Sequence, residues 1–433
     1  MPSSEPSVLV IGSGASAVFT VVALRERAAA DGVTPPRITV IGRDETPGLG
    51  LAYGHADAHH RLNSPASKMS LSAADDAAFV RWCEAEGRPT APGDFVERQL
   101  FGRYVAETFG ALLADDDSGV SFVRCDVLDV TTSDTEATAT LVDGGQISAD
   151  VAVLALGNPP PGLLDTGVDR QIDDPWVSGA LDGVTEADRV LLVGTGLTMI
   201  DVATSLARRM PGIRMVATSR RLMLPAVHLT GPATPGPGLD DSLTTLGQMI
   251  SAFGAQVRAG VADGTPWQAV LDGMRPKIQS LWMRLSTADQ ERFLSHAARP
   301  WDVHRHRMAP AVWTELSGLI DAGTLTLEAD AARADFDVAV NCTGPRSVVD
   351  RGWSPLVDAL LDSGTIRVDP VGLGLAGDEN GAVHSADGTV DPRLFAIGTA
   401  LKGTLWETVA IGEIRIGATR IATSILESVP VSA

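Results

Sequence analysis

The sequence predicts an α/β chain with two parallel-sheet domains, one inserted into the other, on three observations. Two glycine-rich turns, Gly12-Ser13-Gly14-Ala15-Ser16-Ala17 and Gly194-Thr195-Gly196-Leu197-Thr198-Met199, each follow an apolar strand and open an amphipathic segment. Two apolar runs end alike in glycine, Val151 to Leu156 with Gly157 and Val338 to Cys342 with Thr343-Gly344. A last strand and helix, Leu394 to Ile397 and about Leu405 to Leu426, return after the second run. Together these specify two Rossmann-like dinucleotide-binding domains: a discontinuous one over 1–160 and 335–433, and an inserted one over 161–334 with a helical insertion at about 240–300.

The first turn has strand Ser7 to Ile11 before it, a helix through Val18 to Leu24 after it, and a second strand at Arg37 to Ile41. Gly12 permits the tight turn, Gly14 lets backbone N–H groups approach a pyrophosphate, and Ala17 keeps the helix close to the sheet. A glycine-rich loop (47–54), a polar segment and helices at 74–86 and 99–113 come next, then a strand pair or small meander from 120–130 and 137–142. Pro159-Pro160-Pro161 mark the crossing to the inserted domain.

There the second turn follows strand Arg189 to Val193, and the next strand, Ile213 to Thr218, runs into Ser219-Arg220-Arg221. Basic side chains at this place replace an acidic ribose ligand where the 2′-phosphate of NADPH is bound, and a solvated arginine pair is the alternative. Four prolines and three glycines between Pro225 and Gly238 predict a mobile loop, either a lid or a linker. Helical periodicity resumes over 243–257, 267–275, 279–285 and 287–298.

With 433 residues, 44% hydrophobic and 20% charged, the chain suits two or three domains with large cores. A formal charge of −20 argues against nucleic acid or an anionic membrane as partner. Cys83, Cys125 and Cys342 are too few and too far apart for a disulfide framework or a CxxC dithiol relay, which fits a reducing cytoplasm. No apolar run is long enough for a membrane span, and the polar start predicts no signal segment.

Several runs carry a family resemblance: Gly48-Leu49-Gly50-Leu51-Ala52-Tyr53-Gly54, Arg61-Leu62-Asn63-Ser64-Pro65-Ala66 with Met69-Ser70, Arg98 with Gly102-Arg103-Tyr104, Leu156-Gly157-Asn158, Trp301 to Met308, Asn341 to Pro345, and Gly403 to Thr408. On these the chain resembles the two-dinucleotide-domain FAD/NAD(P)-binding oxidoreductases, and more distantly the flavin-dependent monooxygenases, the N-hydroxylating ones among them. The resemblance implies FAD in the first domain and NADPH in the second, with Asn63, Met69, Gly157, Gly398, Gly403, Thr404 and Leu405 beside the flavin site. It makes Asn63 and Lys68 candidates for polar contacts to the ring or nicotinamide, with a plain Asn-Ser-Pro turn as the alternative. Such a family usually has an acidic residue at the end of the second strand. Here that place reads Ile41-Gly42-Arg43-Asp44, so Arg43 stacking on adenine and Asp44 reaching the ribose are the candidates to substitute, with another nucleotide or an empty first site as the alternative.

For the second cofactor the candidates are Gly194, Gly196, Thr198, Ser219, Arg220 and Arg221. The run His304-Arg305-His306-Arg307 is expected to bind an anion, either a cofactor phosphate or an acidic substrate, through His304, Arg305 and Arg307, with a solvated charge run as the alternative. Two histidines two apart without a third ligand make a poor metal site, so no metal is expected. His59-His60 are candidates to titrate near the flavin, with plain surface histidines as the alternative. No hydrolase triad, Walker lysine or kinase signature is visible. The expected function is therefore an FAD-dependent oxidoreductase that oxidises NADPH, a monooxygenase on a small polar metabolite. The alternatives are a flavin reductase serving a non-oxygen acceptor and a non-catalytic redox sensor.

Overall fold

The structure is a computed structural model that describes residues 6–231, 233–329, 331 and 335–428. Its strands are β1 (Ser7–Ile11), β2 (Arg37–Gly42), β3 (Val120–Arg124), β4 (Val127–Thr132), β5 (Ala137–Leu141), β6 (Gln146–Ala149), β7 (Val151–Leu154), β8 (Arg170–Ile172), β9 (Arg189–Val193), β10 (Arg214–Thr218), β11 (Leu325–Leu327), β12 (Val338–Asn341), β13 (Ala382–His384) and β14 (Val390–Ala396). The chain divides into two units, one of residues up to 54, 64–159 and 347 onward, the other of 55–63 and 160–346.

In the first unit the six-stranded sheet runs β13-β14-β7-β1-β2-β3, and only β13 is antiparallel to its neighbour. The chain leaves β1 toward β2 and β3, then returns to β7 on the other side of β1. That reversal opens a crevice at the carboxyl end of β1, where nucleotides bind in such sheets. The strands β1 and β7 are continuous apolar runs because both faces of the sheet are covered, one of them by the meander β4-β5-β6, whose Val130 and Ala139 pack with Leu9 and Ala152; Val8, Val10, Ala152 and Val153 are at most 1% exposed. Helix Ala15–Asp31 begins at Gly14 and ends where Gly32 turns left-handed at φ 68°.

Two expectations for this unit are corrected. The segment 120–130 is not one strand of a meander: β3 pairs with β2 in the main sheet, and the meander is β4-β5-β6. Cys125-Asp126 break the run, and periodicity alone does not show that a strand changes sheets. The C-terminal helix starts at Ile411, not near Leu405, because Trp406 adopts φ 62° after the short turn Lys402–Leu405.

The second unit repeats the winding in five parallel strands, β11-β10-β9-β12-β8, with the reversal at β9 and β12. Here too a boundary moves: 338–341 was expected with the returning part of the first domain, yet β12 pairs with β9 and β8. Its preceding residues, 332–334, lie outside the described ones. The helices Leu246–Ala262, Trp267–Met274, Ile278–Arg284 and Thr287–His296 form the insertion, the first closed by a capping box between Thr245 and Gln248. The helices Ala298–Arg305 and Pro310–Asp321, and Pro355–Ser363 in the first unit, escape the sequence reading. The first lacks an apolar stripe, and Pro310 and Pro355 look like breakers although each opens its helix.

The proline-rich stretch is hydrogen-bonded near both of its ends. Ala226 N–H donates to Val303 O, Met308 N–H to Ala226 O and His228 N–H to Met308 O, while Gly236 N–H donates to Ala269 O. Pro232 lies outside the described residues. Among the described residues no helix is long and apolar enough to cross a membrane.

Candidate functional site: two glycine turns

Each turn is built by one strand passing close over another. Gly12 has φ 116°, and a Cβ there would lie 2.2 Å from Ala155 O; Gly194 has φ 120°, and its Cβ would lie 2.4 Å from Cys342 O. Both positions therefore require glycine for conformation and for space. Gly12 N–H donates to Ile41 O at 2.7 Å and Gly194 N–H to Thr218 O at 2.8 Å, fixing each turn at the end of its central strand. Gly14 (φ −80°, ψ −174°) and Gly196 (φ −89°, ψ −169°) are the N-caps of Ala15–Asp31 and Leu197–Arg209, and neither helix is capped by a side chain. A Cβ on Gly14 would meet only Gly50 Cα, at 3.6 Å, so the space above that turn is open to a ligand. Backbone N–H groups at an uncapped helix N-terminus suit a pyrophosphate. Ala17 is fully buried under the first helix and Thr198 is half-buried in the first turn of the second.

The first turn explains the missing acid. Gly42 is packed on Ser13, and a Cβ at 42 would lie 2.3 Å from Ser13 Oγ and 2.8 Å from Ser13 N. Asp44 takes the place instead: Ser13 Oγ donates to Asp44 Oδ2 at 2.8 Å, with Ser13 itself 5% exposed. A carboxylate is thus held beside the phosphate turn, two residues later than usual. Arg43 is exposed, and its carbonyl accepts from Arg124 Nε at 3.4 Å.

Other expected residues of the first unit separate into two groups. Gly157 and Gly398 are left-handed (φ 68° and 73°), and Gly398 faces Ser16 Oγ of the first helix, 3.4 Å from its would-be Cβ. Met69 is 1% exposed, whereas Lys68 is exposed at the end of the turn Ala66–Lys68. Gly403, Thr404 and Leu405 have structural duties. A Cβ on Gly403 would sit 2.0 Å from the carboxyl carbon of buried Asp369; Thr404 Oγ1 donates to Leu375 O and accepts from Gly377 N–H; Leu405 is 4% exposed. The long C-terminal helix begins beyond them, at Ile411.

In the second unit Thr195 is the counterpart of Ser13. Its hydroxyl lies 2.9 Å from both Ser219 Oγ and Met223 O. The loop between them is tightened by Leu222, left-handed at φ 49°, whose N–H donates to Ser219 Oγ. Arg220 and Arg221 are exposed on this loop, and Arg221 Nη1 donates to His296 O at 3.4 Å. Arg299, unmarked in the sequence reading, reaches the same place: its Nη2 donates to Met223 O at 2.7 Å and to Thr195 Oγ1 at 3.3 Å. Burial lowers its guanidinium pKa and Asp302 opposes that shift.

The run 304–307 does not act as one cationic patch. His304 is exposed, its ring bonded to Pro300 O and packed edge-on to Trp267; Arg305 and Arg307 are 6% and 3% exposed. Arg307 is salt-bridged to Asp272 and lies over the Trp267 ring at 5.9 Å. Asn63 O accepts from His228 Nε2 at 2.8 Å, and burial pushes the His228 pKa down to about 4. The pair His59-His60 is not a surface feature. His60, 5% exposed, receives Asp57 N–H on Nδ1 and places Nε2 2.9 Å from Ser205 Oγ, which in turn donates to Asp57 Oδ2. Burial lowers the His59 pKa. The ligand atoms of Asp57, His59 and His60 lie within 4.8 Å of one another, a grouping that the sequence reading, which considered metal only at 304–306, did not reach. Their hydrogen bonds tie residues 57–60 to helix Leu197–Arg209 within the second unit.

Residues 9–159 match a family model described as FAD-NAD(P)-binding. No curated protein matches the sequence. Solved structures match along the chain. The FAD-bound cadaverine monooxygenase DfoA of Erwinia amylovora has a TM-score of 0.61 at 11% identity over 98% of this chain and 95% of that one. The ornithine N-hydroxylase KtzI of Kutzneria sp. 744 has 0.57 at 16% over 98% and 99%, and the bacillithiol disulfide reductase Bdr of Bacillus cereus has 0.54 at 13% over 98% and 99%. The chain thus shares the two-domain fold of these flavoenzymes, and its residues 9–159 match an FAD-NAD(P)-binding family model.

Proposed function

We propose that the chain is an FAD-dependent monooxygenase that oxidises NADPH and acts on a small polar metabolite, an aliphatic amine in particular. One observation carries the assignment of cofactors: two phosphate turns of equal backbone geometry, with a carboxylate, Asp44, held beside one and arginines beside the other. An acceptor carboxylate fits the free ribose hydroxyl of FAD, and arginine fits a 2′-phosphate. The donor sets therefore match both groups. In this reading the N–H groups after Gly14 hold the FAD pyrophosphate and Asp44 its ribose. Those after Gly196 hold the NADPH pyrophosphate, with Arg220 and Arg221 at the 2′-phosphate. When bound, the flavin accepts electrons from the nicotinamide and passes them to oxygen. The amine as substrate class is supported by relatives in fold that are named for ornithine and cadaverine, and a net charge of −20 favours encounter with cations.

The second reading, electron delivery to another acceptor, draws on the shared fold of the disulfide reductase. Such an acceptor would have to come from outside the chain. Cys83, Cys125 and Cys342 are all free, and burial raises the thiol pKa of Cys83 and Cys342 away from reactivity. Rapid mixing separates these readings. FAD-loaded protein reduced by NADPH without oxygen, then exposed to it, should show a long-lived absorbance distinct from oxidised and reduced flavin. Direct return of the oxidised spectrum would instead favour the reductase, and no bleaching would favour a redox sensor.

A further inference from the structure

The 2′-phosphate position has a feature that lies far from it in sequence. At the end of β10 the loop Ser219 to Met223 folds back on itself through left-handed Leu222, and three groups converge on it: the Thr195 hydroxyl, the Ser219 hydroxyl and the Arg299 guanidinium. Thr195 is 2% exposed, so its hydroxyl is a fixed post and not a solvent group. Arg299 enters from helix Ala298–Arg305 and spends Nη2 on Met223 O and Thr195 Oγ1. Its Nη1 lies 3.8 Å from the point where a Cβ on Gly196 would sit, at the start of helix Leu197–Arg209. The guanidinium therefore spans from the loop that carries Arg220 and Arg221 to the phosphate turn. The corresponding place in the first unit, beside Ser13, holds the carboxylate of Asp44. The two turns share a backbone and carry opposite charge at the same position.

We propose that Arg299 determines the preference for NADPH: it binds the 2′-phosphate beside Arg220 and Arg221 and braces the loop that presents them. The assignment rests on the second turn holding NADPH, as proposed above. A planar guanidinium with Nη2 committed to the protein and Nη1 beside the second glycine turn is a preorganised phosphate ligand, which a lysine cannot reproduce.

The test is equilibrium binding by calorimetry to the FAD-loaded, oxidised protein, with NADP+, 2′,5′-ADP, NAD+ and 5′-ADP as probes. Arg299→Ala should weaken NADP+ and 2′,5′-ADP about tenfold or more, the effect of one lost charge-assisted hydrogen bond, and change NAD+ and 5′-ADP less than twofold. Equal weakening of all four would place Arg299 at the pyrophosphate or in the fold alone and overturn the proposal. Arg299→Lys covers the case in which the alanine variant does not fold. It keeps the charge and loses the fork, so NADP+ should weaken several-fold with NAD+ unchanged, and wild-type affinity for both would again overturn the proposal. If the unaltered protein binds none of the probes carrying a 2′-phosphate, the NADPH reading itself fails. That outcome is distinct from a loss of discrimination by Arg299.

Discussion

The two glycine turns are near copies in backbone and opposites in charge. Gly12 and Gly194 both slide under a neighbouring strand's carbonyl, and Gly14 and Gly196 both start a helix in extended conformation. Ser13 and Thr195, the residues between, each point a hydroxyl toward the end of the next strand. Ser13 finds a carboxylate there, and Thr195 finds a hydroxyl, a carbonyl and a guanidinium. Close strand approach dictates the backbone, so the first similarity is general to the fold. The charge beside each turn is a free choice of side chain, and in the proposed reading that choice decides which nucleotide each site accepts.

The largest effects should come from attacking the shared backbone. Gly12→Ala and Gly194→Ala each force a Cβ against a carbonyl oxygen in a left-handed conformation, and each should cost roughly 3 kcal/mol or more of stability. Melting temperatures unchanged by either variant would contradict the close-approach account. Gly14→Val sharpens the point, because its side chain enters open space: flavin should be lost while the flavin-free protein stays within about 1 kcal/mol of its original stability. A variant purified with full flavin would remove this turn from the FAD site.

The charge partners come next. Asp44→Asn should raise the flavin dissociation constant about tenfold. Restoring an acid at the usual place, Gly42→Asp, should fail to compensate, because it collides with Ser13 and should cost about 1–3 kcal/mol. Flavin affinity unchanged by Asp44→Asn would show that Asp44 is not the ribose ligand, and affinity rescued in the double variant would contradict the collision at Gly42. In the second unit Arg220→Ala should raise the NADPH Michaelis constant at least several-fold and leave that of NADH unchanged. Equal effects would sink the 2′-phosphate assignment.

Acid should also weaken the second unit. His228 folds with a pKa of about 4 against an ordinary 6.5. As pH falls below 6.5 the unfolded chain takes up the proton first, so its contribution to stability declines by at most about 1.4 kcal/mol per pH unit and levels off below 4. Chemical unfolding followed between pH 7 and 4 should show this slope reduced in His228→Gln. A slope that the substitution leaves intact would assign it to other groups.

The parts of the molecule legible in the sequence were those set by local chemistry. The turns announced themselves because glycine is obligatory at Gly12 and Gly194, and the apolar runs of β1, β7, β9 and β12 because parallel strands are buried on both faces. The strand at 120–124 was misread because joining one sheet or another leaves no mark on alternation. Arg299 was missed because its role depends on a fold that carries helix Ala298–Arg305 to the end of β10, and nothing around it distinguishes it from Arg305 or Arg307. Those two were marked by an obvious charged run, yet Arg307 is committed to Asp272 and Trp267. Asp44 stood in plain sight; only the collision of a residue 42 side chain with Ser13 shows why the acid had to move.

The most direct test of the central claim, two turns with two different nucleotides, is anaerobic reduction of the FAD-loaded protein by NADPH and by NADH, followed as flavin absorbance. The account predicts that the protein retains FAD, that NADPH bleaches it, and that NADH does so only at much higher concentration. Equal efficiency of the two donors would contradict the charge assignment of the second turn, and a protein that holds no FAD would contradict that of the first.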